Sequence, residues 1–244
     1  MKIVLIILIL VFCSSAFAAV ETVTAPAEAV TPGWNVIALP AFPVFLGGNP
    51  PGYPPDVLNG LVGGGTGLDG KLTRWDAERQ VTLAWDSTSP QAKADFGNLL
   101  LGDGYPLWIS PTASPVTFDG VTGNDSVDTF IPLPKAGWTL IGYPYSVPTS
   151  TSGPPYYSGD PYLWENVKVT DGLTTKSLRD ASQRGARWIR STAIWWESPR
   201  QSLRTVGASQ DFANCRSMIA WHGYWVMSFK DNLGLIFEAP VPVE

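Results

Sequence analysis

A nine-residue stretch occurs twice in this chain. Pro32-Gly33-Trp34-Asn35-Val36-Ile37-Ala38-Leu39-Pro40 returns as Ala136-Gly137-Trp138-Thr139-Leu140-Ile141-Gly142-Tyr143-Pro144, 104 residues later. A second pair of motifs follows in the same order. Asp95-Phe96-Gly97-Asn98 precedes Gly104-Tyr105 and Trp108, while Asp211-Phe212-Ala213-Asn214 precedes Gly223-Tyr224-Trp225. The offsets are 116 for Asp-Phe and 119 for Gly-Tyr, which a three-residue insertion in the second half accounts for. Self-similarity at a long offset points to two related structural units. In each copy Gly opens a strand after a turn, the apolar residues read as its buried body, and Pro closes it.

Composition narrows the fold class. The chain has 24 Gly, 22 Pro and 11 Trp, with only 15% charged residues. Few charges with many aromatics oppose disorder, and frequent Gly and Pro without a short period favour many turns between short strands. The expected fold is all-β: two related sandwich- or barrel-like modules, residues 33–125 and 126–244, with one or two short helices. Leu72–Trp75 and Val81–Trp85 read as a hairpin around Asp76–Gln80, with Trp188-Ile189 and Ala193–Trp196 as counterparts. Val127–Ile131 and Leu233–Phe237 read as closing strands. Phe96, Leu99 and Leu100 sit at helical spacing within Gln91–Leu101, as do Phe212, Cys215 and Ile219 around Ala208–Met218.

Residues 1–18 read as a signal peptide. Lys2 precedes the apolar run Ile3–Phe12, which is too short to span a bilayer, and Ala16-Phe17-Ala18 places the cut before Ala19. The alternative of a lipoprotein site at Cys13 needs a small residue where Phe12 stands. The implied location is secreted or cell-surface, with no transmembrane segment in the mature chain. Residues 19–32 read as a flexible lead-in, although Val20–Thr24 would form a strand if offered an edge. Cleavage leaves Cys215 as the sole cysteine, either a buried apolar residue or an intermolecular bridge, so an internal disulfide is excluded. Residues 19–134 carry 12 acidic and 4 basic side chains, while residues 135–244 carry 9 and 11. Such asymmetry suits docking of one half on the other, head-to-tail contact between molecules, or an ordinary solvated face. The acidic total argues against nucleic acid.

Catalytic chemistry is hard to assemble from these residues, and the protein is expected not to be an enzyme. His222 is the one histidine, with no Gly-x-Ser-x-Gly elbow before it, and one His with one Cys is too few for zinc. Gly63–Gly67 is not followed by Gly-Lys-Ser/Thr and reads as a loop. Asp76, Asp86, Glu165 and Glu197 each follow a tryptophan, which on a strand places them on the face away from it, in solvent. Calcium is the one cofactor suggested, through Asp119, Asn124, Asp125 and Asp128 in a turn-rich stretch without EF-hand spacing. Trp34, Trp108, Trp138 and Trp225 lie in the repeated motifs and are assigned to the core. Trp195 and Trp196 cannot both face inward on one strand. One of them, with Tyr156, Tyr157 and Tyr162 in Pro-rich loops, is the candidate ligand surface; Tyr143-Pro144-Tyr145 belongs to the same region.

Gly33-Trp34-Asn35 and Gly223-Tyr224-Trp225, with Pro132-Leu133-Pro134 leading into the second copy, resemble a repeat module of secreted bacterial surface proteins. The module's form is a Gly-Trp-Asn-Leu-Ile strand, a Trp- or Tyr-bearing hairpin and a Gly-Tyr-Trp strand. Thr139 and Tyr105-Pro106 depart from it. The resemblance implies location and architecture rather than a reaction. The expected function is a structural or adhesive surface protein that self-associates or joins other surface proteins. The alternative is polysaccharide binding through the exposed aromatics.

Overall fold

Short apolar runs interrupted by Gly and Pro cannot propagate helices, and the chain forms an all-β fold with a few short helices. The computed structural model describes residues 20–25, 30–44, 48–58, 65–110, 117–121, 127–145, 163–207 and 218–239. Residues 1–18 lie outside the described set, as does the Ala208–Met218 helix candidate apart from Met218. No helix among the described residues is long and apolar enough to cross a membrane.

In chain order the early strands are β1 (Val20–Thr24), β2 (Gly33–Ala38), β3 (Phe42–Pro43), β4 (Thr73–Asp76), β5 (Val81–Ala84), β6 (Gly104–Ile109) and β7 (Thr117–Val121). The later ones are β8 (Thr129–Leu133), β9 (Gly137–Gly142), β10 (Lys168–Thr170), β11 (Thr175–Ser177), β12 (Thr192–Glu197), β13 (Ser202–Gly207), β14 (Gly223–Ser228) and β15 (Leu233–Phe237). All named pairings are antiparallel. β2 pairs with β6, placing Trp34 opposite Trp108, and β4 and β5 form a hairpin attached to β6 through a Leu72–Leu107 bridge. β1 and β3 flank β7. Beyond Pro134, β9 pairs with β14, the β12–β13 hairpin attaches to β14, and β8 and β10 flank β15. β11 adds an outer strand to β10.

The halves are stitched together at backbone level. Ile37 forms a bridge with His222 at the start of β14, and Ile141 forms one with Asp103 at the start of β6. The Ala38 N–H donates to Trp221 O (2.9 Å), and the Gly142 N–H donates to Gly102 O (2.7 Å). β6, β2, β14 and β9 therefore run in a closed circuit of pairings. Inside it, Ile37, Tyr105 and Leu107 share one hydrophobic core with Ile141, Tyr224 and Val226. Burial of large rings does much of the stabilising work, each removing about 150–250 Å² from water. Trp85 meets Tyr53 and Phe96 edge-on, and buried Trp164 donates its indole N–H to Ser191 O (2.9 Å).

Several expectations are corrected. The lead-in includes β1, whose partner edge is β7 of the same chain. Val127–Ile131 is not a closing strand of the first half; β8 opens the second half and pairs with its last strand, β15. The hairpin after Ile189 is β12–β13, while Ile189 makes only an isolated bridge to Ser228. Between the hairpin's strands Gln201 turns the chain by taking a left-handed conformation. The helix within Gln91–Leu101 spans only Pro90–Phe96, because Gly97 leaves helical space at φ +72°. Its start is set by Ser89, whose hydroxyl accepts the Ala92 N–H, with Pro90 in the first turn. Tyr143 and Tyr145 are buried rather than part of a surface loop. Tyr145 accepts the Thr129 N–H (3.0 Å) and donates to Phe237 O (2.6 Å), tying both strands of the β8–β15 pair at one end.

Two tyrosines serve as matching corner posts. Buried Tyr105 accepts the Leu100 N–H (2.7 Å), and buried Tyr224 accepts the Ile219 N–H (2.6 Å), each five residues back. Burial pushes both phenols upward in pKa, so both remain protonated. Tyr105→Phe and Tyr224→Phe each leave a backbone N–H without its acceptor. Each is expected to lower the urea-unfolding free energy by about 1–3 kcal/mol, with unchanged far-ultraviolet dichroism.

Candidate functional site

Trp196 is half-buried. Its indole N–H donates to Trp34 O across the halves (2.7 Å). Gln201 completes the contact: the Trp34 N–H donates to its Oε1 (3.1 Å), and its Nε2 donates to Trp34 O (2.9 Å). The opposite pair repeats this geometry. Trp75 Nε1 donates to Trp138 O (2.7 Å), Gln80 Nε2 donates to the same oxygen (2.9 Å), and the Trp138 N–H donates to Gln80 Oε1 (3.0 Å). A glutamine amide offers one donor and one acceptor, so it pairs with a strand as a peptide group would. The hairpin of each half thereby finishes the open strand edge of the other.

Both Gly-Trp motifs exist for this contact. Gly33 and Gly137 have φ of +103° and +133°, which L-residues rarely adopt. A Cβ on Gly137 would lie 2.4 Å from Gln80 Oε1, and one on Gly33 would lie 3.1 Å from the Gln201 amide. Gln80 and Gln201 were missed as key residues because glutamine in a hairpin loop reads as solvated. A signal was present nonetheless: Trp75-Asp76-Ala77-Glu78-Arg79-Gln80 and Trp196-Glu197-Ser198-Pro199-Arg200-Gln201 share Trp, acid, Arg and Gln at one spacing. The acid in each pairs with the arginine three residues on.

Thr139, which stands where the first copy has Asn35, is compensated from the neighbouring strand. Asn35 Nδ2 donates to Thr31 O (2.8 Å) and Gly33 O (2.9 Å). In the second half Ser228 Oγ donates to Lys135 O (2.9 Å) instead.

Trp195 is half-buried against the core and meets His222 edge-on at 5.1 Å. His222 is buried with Nδ1 3.1 Å from Ala220 O, and burial holds its pKa below the usual 6.5. The acids after tryptophans serve turns and ion pairs. Asp76 Oδ1 accepts the Arg79 N–H, Asp86 Oδ1 accepts the Thr88 N–H and hydroxyl, and Glu197 accepts from Arg204 (2.6 Å) and Arg200 (3.1 Å). The Arg204 hydrogen bond foremost holds Glu197 below the ordinary glutamate range.

Of the four calcium candidates, Asp119 and Asp128 lie among the described residues, each engaged by a partner of its own. Asp119 on β7 accepts the Thr22 hydroxyl (2.8 Å) beside a depression of about 230 Å³ between Tyr53, Asp56 and Phe118. Asp128 accepts the Ala239 N–H (2.9 Å). Asn124 and Asp125 lie outside the described residues, as do Tyr156, Tyr157 and Tyr162 of the aromatic surface. Among the described residues no three His, Cys, Asp or Glu side chains gather as a metal cage.

The repeated-motif tryptophans are less buried than assigned. Trp34 is 43% exposed, and Trp108, Trp138 and Trp225 are half-buried. Trp225 lies between Trp75 (5.2 Å) and Trp138 (6.5 Å), edge-on to both. On the other side Trp34 and Trp108 face outward together, with the Lys71 ammonium 5.4 Å from the Trp108 ring. A second outward patch was not anticipated. Trp188 lies between the ammonium groups of Lys176 (3.9 Å) and Lys230 (4.6 Å), and Arg187 covers Phe229 (4.7 Å). Leu173, at the tip of the β10–β11 turn, is 96% exposed. Arg179, Arg184, Arg187 and Arg190 are exposed and make no ion pair among the described residues.

Comparison with protein-family models, curated proteins and solved structures finds no match for this chain.

Two outcomes test these contacts. Gln80→Ala and Gln201→Ala each strip partners from a backbone N–H and C=O, at about 1–3 kcal/mol of stability in urea titrations. Gln80→Ala has the larger effect, since its bonds are the more buried. Gly137→Ala, with the closer clash, costs more than Gly33→Ala. The second outcome concerns pH. His222 is the chain's only histidine, so the unfolded chain binds a proton as pH falls through about 6.5 while the folded protein resists it. Its stabilising contribution is therefore complete above that pH and lost below it. Unfolding midpoints measured from pH 7.5 to 5 should fall, and His222→Gln should flatten the slope between pH 6.5 and 5.

Proposed function

We propose that this chain is a secreted or cell-surface structural protein without catalytic activity. It is built from two copies of one β-module and acts by self-association or by attachment to a larger extracellular assembly. The observation that carries this reading is the division of labour among side chains. Among the described residues several groups suited to chemistry are engaged in the fold: His222 lies buried against Trp195, and Asp76, Asp86 and Glu197 hold turns or arginines. Two outward features stand out: an aromatic face at Trp34 and Trp108, and a cationic face around Trp188. Exposed aromatic and arginine side chains suit macromolecular contact. The resemblance to surface-protein repeats, the signal-like leader and the matching order of strand pairings in both halves support the same reading.

One observation favours a second reading, polysaccharide binding. Trp34 is 43% exposed directly across from Trp108 on the paired strand, an arrangement on which sugar rings could stack.

Light scattering and electron microscopy of the purified chain test the first reading. Concentration-dependent assemblies are expected, and a monodisperse monomer at every concentration would rule it out. Glycan-array binding tests the second. Bound polysaccharide lost on Trp34→Ala would replace the first reading, because that side chain is dispensable for the Gln201 contact, which uses only the Trp34 backbone.

A further inference from the structure

We propose that the cationic face of the second half is the docking surface for the acidic first half of a second copy of this chain, joined head to tail. The inference rests on the self-association reading and names the surface that would perform it.

The starting point is the charge asymmetry, with 12 acidic and 4 basic residues in 19–134 against 9 and 11 in 135–244. Within one molecule this difference is not used to join the halves. Every ion pair among the described residues lies inside a single half: Arg74–Asp103 and Arg79–Asp76 in the first, and Lys135–Asp231, Lys168–Glu238, Glu197–Arg200, Glu197–Arg204 and Lys230–Asp171 in the second. The contacts across the halves are neutral, made by Trp75, Gln80, Trp196, Gln201 and backbone groups. The opposite charges thus remain on the outside, available to another molecule.

Each face has the composition a contact needs. Arg179, Arg184 and Arg190 are exposed with no ion pair, beside the Lys176–Trp188–Lys230 sandwich and the Arg187–Phe229 stack. Leu173, 96% exposed, supplies apolar area next to these cations. On the first half Asp56 and Asp95 are exposed and Asp86 half-buried, each within three residues in the chain of Tyr53, Trp85 or Phe96, whose rings pack together beneath the surface. None of the three makes an ion pair among the described residues. Complementary patches on opposite ends of one chain make a heterologous contact, which builds open chains rather than closed dimers. Charge complementarity also raises the association rate and makes it salt-dependent.

The test is sedimentation velocity of the purified chain at low salt and at high salt, where screening shortens the Debye length to about 3 Å at 1 M. Association is expected at low salt and is weakened at high salt. Arg179→Glu/Arg184→Glu/Arg190→Glu, at side chains without fold contacts, should weaken it by on the order of ten- to a thousand-fold. Asp56→Lys/Asp95→Lys should do the same, and mixing the two variants should restore mixed assemblies. Circular dichroism confirms that each variant is folded. If the wild type assembles and the arginine variant assembles equally well, this surface is wrong while self-association stands. A wild type that stays monomeric at low salt overturns both. Salt-sensitive binding to anionic vesicles by such a monomer would assign the cationic face to a membrane instead.

Discussion

The structure depends on an exchange of edges. In each half the Gly-Trp strand has one side paired internally and the other side open. The open side is finished by a tryptophan indole and a glutamine amide from the other half's hairpin, with both contacts present at closely similar distances. An unpaired strand edge is a template for unwanted pairing, so capping it from within the chain removes that hazard. The cap also explains why glycine precedes each tryptophan, because a Cβ would occupy the glutamine's place. Gln80 and Gln201 both adopt left-handed backbone conformations, a local cost of about 1–2 kcal/mol each. The several hydrogen bonds they make offset that cost.

Because the two halves meet through neutral groups, their union is insensitive to salt and to most pH changes. Two titratable groups are the exceptions, the first being His222, whose bridge with Ile37 places its ring in the seam. Its counterpart at the other seam is Asp103, held by Arg74 (3.0 Å) and bridged to Ile141. The same topological position is thus filled by a buried neutral base in one half and by a paired acid in the other. A neutral seam also leaves the charges of both halves on the surface, where they can act between molecules.

Much of the scaffold was legible from local pattern. The Gly-Trp and Gly-Tyr strands, the hairpin at Asp76–Gln80 and the strand Leu233–Phe237 follow from apolar runs bounded by Gly and Pro. Reading failed where a segment's identity depends on a distant partner. β13, with Arg204 and exposed Leu203, was not picked out in the sequence, yet it becomes a strand because β12 pairs with it along its length. β8 looked like an end and is a beginning, because strand order in a sheet is not local information. Trp195 and Trp196 each have a partner that their neighbours in the chain do not reveal, His222 for the first ring and Trp34 O for the second indole N–H. The matched hexapeptides ending in Gln80 and Gln201 held the missing information, visible only when both halves are aligned on their tryptophans.

Trp34 and Trp138 show where the division falls. Residue order alone dictated that each begins a strand after a left-handed glycine, because turn geometry and period-2 alternation are properties of neighbours in the chain. It did not dictate how deeply each ring lies. β14 places Trp225 beside Trp138, whereas the corresponding register position on β6 holds Pro106 beside β2, leaving Trp34 43% exposed. Alternation sorts side chains onto two faces, but whether a face is dry or wet depends on what folds over it, and that contact forms only when residues far apart in the chain are brought together.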